Sequence, residues 1–435
     1  MPVQPKLFFR TVLAYSRYQY GLGIRNFLVN DGKETLANTF RSRSGVRDWT
    51  LKAGFDYYAN ASHQIRFGIE AIRHRYQPSY IQTSYPLNSD TLAAVNRPVP
   101  ANEAALYAED EVSVVSWLKL NAGLRGVLYN VDNQNYSSLE PRLTVNVLLP
   151  RNFAIKGAYS QMRQYIHLLT SNSLGFPNDV WVPATRRVPP QFSQQTAVGL
   201  TKTIPKLALD VSVEGYYKIM KNLIDYQDGS NFLTTYNNTW ENIVAKNGFG
   251  EAYGLEFFIN KTKGRFTGWL AYTLAWNRRI FSEINNGNWF AAPYDRRHTI
   301  SLTGTYNLNE HVNVSANWTF HSGQPVTVPV AVRRDFELNQ AWLIYGDRNN
   351  FRMPAYHRLD VSFNFTHETK RGRQATWSVG LYNAYNRINP YFLQIQQLYI
   401  FEDVRNIPRT LGTDFYLQAV GVLPILPSVT YSLKY

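Results

Sequence analysis

Apolar and polar residues alternate one by one over long stretches of this chain. Between His298 and His321, Ile300, Leu302, Gly304, Tyr306 and Leu308 alternate with Thr299, Ser301, Thr303, Thr305 and Asn307. Past Asn309 and Glu310, Val312, Val314, Ala316, Trp318 and Phe320 alternate with Asn313, Ser315, Asn317 and Thr319. Side chains of an extended strand point to opposite faces in turn, so this pattern predicts a hairpin with one greasy and one wet face. Residues 118–131 follow the same period, with Leu118, Leu120, Ala122 and Leu124 set against Lys119, Asn121, Gly123 and Arg125. So does PSVTYSLKY at 427–435, where Val429, Tyr431, Leu433 and Tyr435 share one face and Thr430, Ser432 and Lys434 the other. A soluble sheet ending on such a strand would invite edge-to-edge aggregation, whereas a closed barrel in lipid would not.

The same reading predicts strands at 6–18, 46–58, 63–76, 103–115, 118–131, 136–148, 152–164, 192–203, 206–223, 251–262, 265–280, 356–366 and 375–394. The hairpin, and a final strand led in by Phe415, complete the set. That makes about sixteen strands, each near or above the roughly ten residues that a tilted membrane strand needs. Turns of a few residues alternate with long connections at 19–45, 77–101, 165–190, 224–250, 281–297 and 325–352, rich in Gly, Pro and Asn. Short turns at one end and long loops at the other mark an outer-membrane barrel and put both chain ends on the short-turn side. The predicted fold class is all-β, a transmembrane antiparallel β-barrel. A soluble all-β binding module is the alternative, although strands this long with one-sided loops fit a sandwich poorly.

Composition adds to this picture. The chain holds 10 Trp, 30 Tyr and 24 Phe, and tyrosine leads, as expected for girdles at a membrane interface. No apolar run approaches the ~18 residues of a spanning helix. There is no cysteine, so disulfides and thiolate chemistry are excluded. The net charge of +14 comes from Lys and Arg spread among the strands, without the single basic stripe of a nucleic-acid binder. It suits a wet interior and loops that face lipopolysaccharide phosphates. Residues 1–18 lack the pattern of a secretory signal, because Arg10 and Arg17 interrupt the apolar run.

No nucleophile elbow, zinc motif, phosphate loop or calcium loop is present, and the eight histidines are scattered without ligand spacing, so no enzyme activity, cofactor or metal site is expected. Charged runs such as YDRRH at 294–298 and YHRLD at 356–360 read as groups that satisfy one another on the wet face. Aromatic loops are the better candidates for binding, since flat rings take up sugars, porphyrins or peptides. They offer Tyr165, His167, Trp181, Arg186 and Arg187 in one loop, Tyr236 and Trp240 in a second, Trp289 and Phe290 in a third, and Trp342 and Tyr345 in a fourth. Any one of these aromatics equally fits a bilayer interface or loop packing.

Several segments together carry a family resemblance: EPRL at 140–143, QYIHLL at 164–169, WVP at 181–183, YGLE at 253–256, FTGW at 266–269, YDRRH at 294–298, MPAYHRLD at 353–360, YNAYNRINPYF at 382–392 and residues 423–435. In these the chain resembles the TonB-dependent outer-membrane receptors of Bacteroidetes type, specifically the C-terminal part of the transport barrel. The resemblance implies a 22-stranded barrel, an internal plug and energised import of a scarce nutrient: a siderophore, glycan, cobalamin or peptide. It also implies that Tyr431, Leu433 and Tyr435 form the signal read by the barrel-assembly machinery. Outer-membrane lipid and a surface lipoprotein are further implied partners. Residues 1–435 are expected to be a barrel portion without the plug and the first strands, reaching TonB only through that other part. A self-contained porin-like channel of sixteen strands is the second alternative.

Overall fold

The computed structural model describes residues 2–4, 6–30, 33–85, 90–95, 97–170, 179–230, 239–335, 340–404 and 407–434. Sixteen long strands form one antiparallel sheet in chain order. They are β1 (Leu7–Asn30), β2 (Lys33–Tyr58), β3 (His63–Tyr85), β4 (Val99–Val115), β5 (Leu118–Val131), β6 (Gln134–Leu149), β7 (Phe153–Gln164) and β8 (Gln191–Ile204), followed by β9 (Leu209–Tyr226), β10 (Val244–Lys261), β11 (Phe266–Ile280), β12 (His298–Asn307), β13 (Val312–His321), β14 (Tyr356–Glu368), β15 (Gln374–Tyr382) and β16 (Leu426–Lys434). Each pairs with the next, and among the described residues no ladder joins β1 to β16.

The register separates two faces. Leu13, Leu51, Ala71, Ala104 and Leu128 lie opposite one another across β1 to β5, and Ile69 faces Leu106 one row away. These apolar side chains point outward and are bare: Leu13 is 72% exposed and Leu106 66%. Facing water, so large an apolar band would drive aggregation. Facing hydrocarbon, it is the surface a spanning sheet requires.

The opposite face is ionic. The Arg125 guanidinium reaches Glu70 at 2.6 Å, Glu103 at 3.3 Å and Glu140 at 3.9 Å, while His74 sits 2.9 Å from Asp48. Arg66 holds Glu109 at 3.0 Å and Asp56 at 3.5 Å. Glycine lets one large ring lie flat on this wall. Gly54, Gly68 and Tyr107 stand side by side on β2, β3 and β4, and a Cβ at either glycine would meet the Tyr107 hydroxyl at 2.8 Å.

Several predicted boundaries are corrected. Strands β1, β2 and β3 run far into the stretches expected as loops at 19–45 and 77–101, because above the membrane both faces meet polar surroundings and alternation is no longer required. Strand β9 begins at Leu209, after a turn with Ala208 at φ 50. The predicted strand 375–394 is two strands, β15 and Pro390–Val404. Asn383 and Asn386 break it in left-handed conformation. Phe415 lies in Ile407–Gly421, which pairs with Pro390–Val404 as a separate hairpin and not with the wall. The expected loop at 325–352 contains a hairpin of Pro329–Asp335 and Gln340–Tyr345. Tyr236 and Tyr435 lie outside the described residues.

Candidate functional site

At the long-loop end, the wet-face ends of β13, β14 and β15 hold a compact cluster. Arg358 places Nε and Nη2 on Asp360 Oδ2 at 3.0 and 2.9 Å and donates through Nη1 to the hydroxyls of Tyr356 at 3.0 Å and Tyr382 at 2.7 Å. Its guanidinium lies 4.1 Å from the centre of the Tyr382 ring, a cation–π contact. His321 stacks on Tyr356 with ring centres 4.6 Å apart and planes 5° off parallel. The backbone N–H of Asn383 donates to Asp360 Oδ1, and the Asn383 amide donates to the carbonyls of Arg387 and Leu423. The turn that ended the predicted strand therefore fixes the cluster's orientation.

Above these groups opens a cavity of about 390 Å³, lined among others by Tyr294, Arg296, His321, Gln324, Tyr356, Arg358, Tyr382, Tyr391 and Phe392. Arg296 is exposed in it and forms no ion pair among the described residues. Asp179, also in the lining, is engaged by the Tyr294 hydroxyl at 2.7 Å. Aromatic walls with two guanidinium groups suit a planar or anionic ligand.

Ionic clasps hold the loops around this rim. Asp295, 1% exposed at its side chain, pairs with Arg352 and, at 3.4 Å, with Arg297; it also accepts the Asn277 N–H at 2.8 Å. Asp225 takes Arg348 Nη2 at 2.9 Å and Arg279 at 3.7 Å. The backbone N–H of Arg348 donates to Asn285 Oδ1 at 3.0 Å. Three long connections are thereby tied to one another.

Among the described residues, none of the loop residues singled out from the sequence lines this cavity. Tyr165 is buried, stacked on Tyr129 at 4.5 Å, with its hydroxyl 3.0 Å from Ser138 Oγ. His167 is fully buried, accepts from Gln191 Nε2 at 2.9 Å, and burial pushes its imidazole down to about 3, so it stays neutral in any ordinary medium. Trp240 is buried with Leu169, Val182 and Ile224 in a loop core. Half-buried Trp181 faces Leu168 in the short ladder Ile166–Leu169 with Val180–Pro183. Arg186 and Arg187 are exposed, Arg187 beside Glu241 at 3.7 Å. Trp289 carries the Arg278 guanidinium at 4.6 Å, and Trp342 and Tyr345 are exposed on a projecting hairpin. The sequence signal that could have found the cavity was there: the runs YDRRH, YHRLD and YNAYNRINPYF supply Tyr294, Arg296, Tyr356, Arg358, Tyr382 and Tyr391.

Solved structures share this architecture. The ferric-catecholate import receptor Fiu of Escherichia coli K12 aligns with TM-score 0.62 at 11% identity, over 99% of this chain and 62% of its own. The ferric yersiniabactin uptake receptor FyuA of Yersinia pestis gives 0.63 at 11%, over 100% and 60%. BauA, the ferric preacinetobactin receptor of Acinetobacter baumannii, gives 0.60 at 12%, over 100% and 61%. The chain thus spans about three fifths of the receptors whose fold it shares. No curated protein sequence matches it. Residues 5–386 match the family described as TonB dependent receptor-like, beta-barrel, and the chain belongs to that family of outer-membrane β-barrels.

Proposed function

We propose that this chain is the C-terminal share of a TonB-dependent receptor barrel that takes up a scarce, aromatic and anionic nutrient, with a ferric chelate of catecholate or phenolate type as the best fit, and that it performs no catalysis. The single observation that carries this reading is the rim cavity, in which Arg296 forms no ion pair among the described residues and stands beside a tyrosine wall braced by Arg358. The uptake of ferric chelates by the structural relatives named above supports it. The three-fifths span supports a barrel share, as does the lack, among the described residues, of a ladder joining β1 to β16, since sheet edges in lipid need backbone partners. Recognition falls to the rim, while the plug and the contact with TonB belong to the remainder of the receptor.

Tryptophan fluorescence of the folded chain, titrated with ferric tris-catecholate, tests this. Saturable quenching is expected, and Arg296→Gln should weaken it about tenfold, the worth of one charge-assisted hydrogen bond. No quenching in the wild type, or equal affinity in the variant, would refute the assignment.

A further inference from the structure

The outer face of β1, β2 and β3 changes character abruptly. Up to the level of Tyr15 and Trp49, whose rings lie 4.8 Å apart, it is apolar. One step beyond, Arg17, Arg47 and Arg75 stand directly opposite one another across the three strands. Arg73 faces Trp49, and Arg43 and Arg41 continue the same outward parity on β2. All six are exposed, while the intervening Ser42, Ser44, His74 and Tyr76 point inward and are buried.

Like charges opposite one another in a sheet repel. Among the described residues, none of the six pairs with a carboxylate: Asp48, the nearest acid in sequence, points inward to His74, and Arg17 donates only to Gln19 at 2.6 Å. The other side of the wall behaves differently. There the outward Arg278 above the Tyr217, Tyr253 and Trp276 girdle is neutralised by Glu251 at 2.8 Å. The uncompensated arginines are therefore a local feature.

Their height is informative. From Leu7, opposite Tyr57, to Tyr15 is about 27 Å along the strand at ~3.4 Å per residue, or about 21 Å across the membrane at the usual tilt, close to the apolar band of such proteins. The arginines emerge at the long-loop end of that band, which is the outer leaflet. At that level anionic groups are carried by lipid headgroups, and guanidinium groups bind phosphate oxygens in pairs.

We infer that Arg17, Arg47 and Arg75, flanked by Arg41, Arg43 and Arg73, form a binding site for the phosphorylated headgroup of an outer-leaflet glycolipid, with Tyr15 and Trp49 against its acyl chains. The site is independent of the rim cavity and of the nutrient.

The full chain, folded in detergent and incubated with lipopolysaccharide, should retain it through gel filtration. The same lipid stripped of phosphate should wash off, and millimolar inorganic phosphate should not displace the bound lipid. Arg17→Gln/Arg47→Gln/Arg75→Gln should bind about a hundredfold more weakly, at roughly fivefold per arginine, and the triple lysine variant should recover most of the loss. Equal retention of the phosphate-free lipid by the wild type would overturn the site without any variant. Displacement by inorganic phosphate would reduce it to a simple anion site, and unchanged binding by the folded glutamine variant would also overturn it.

Discussion

Gly323→Ala is expected to destroy the rim cavity. A Cβ at this position would lie 1.6 Å from the Met353 carbonyl oxygen and 2.4 Å from its carbon, both backbone atoms with no rotamer to retreat into. The two segments are held close: the Met353 N–H donates to Gln324 O at 3.0 Å, and Arg352 reaches Gly323 O at 3.3 Å. Gly323 and Met353 both line the cavity, so separating them opens it. The cost should be about 3 kcal/mol or more, the upper range for overpacking. Urea unfolding of the chain in bilayers should show that loss, with ferric tris-catecholate binding abolished. Unchanged ligand affinity would refute the role given to this contact.

Asp295→Ala is expected to release the loops around the rim. It removes the carboxylate shared by Arg352 and Arg297 and the acceptor of the Asn277 N–H, leaving two guanidinium groups turned on an empty site. Breaking a buried pair from one side costs about 3 kcal/mol at the low end, the end that applies because Arg352 keeps access to water. Asp295→Asn retains an acceptor for Asn277 and should lose less. Limited proteolysis of the rim loops reads this directly: cleavage should rise in the order wild type, Asn, Ala, and identical rates would count against the clasp.

Where lipid imposes alternation, the fold was legible in the sequence. The hairpin of β12 and β13 is legible with its greasy and its wet face, because one face must be apolar at every second position. The rule fails once the chain leaves the hydrocarbon. Residues 19–30 and 33–45 are strand without the pattern, since above the bilayer polar side chains are tolerated on either face. Asn383 shows the opposite failure. Its left-handed turn falls inside a stretch read as one strand, although the apolar face of Ala375, Trp377, Val379 and Leu381 stops there at Asn383, and its hydrogen bonds to Arg387 and Leu423 fix the break. The rim cavity was hidden for a related reason. Its arginines and tyrosines sit at strand ends in runs that read as self-satisfied ion pairs, and Arg358 with Asp360 is such a pair. What the runs could not show is that Arg296 has no ion-pair partner among the described residues, or that the paired Arg358 also braces the tyrosines of a cavity. The loop aromatics were conspicuous in sequence because they are large, and Tyr165, His167 and Trp240 are large because they fill loop cores.

One face of this sheet meets lipid and the other water. The chain has no cysteine, so single-cysteine spin labels can be placed without background. Labels at each position from Thr299 to Tyr306 in bilayers should alternate, with 300, 302, 304 and 306 accessible to oxygen in the hydrocarbon and 299, 301, 303 and 305 to a water-soluble nickel chelate. Uniform accessibility to the nickel chelate along the strand would mean that neither face lies in hydrocarbon.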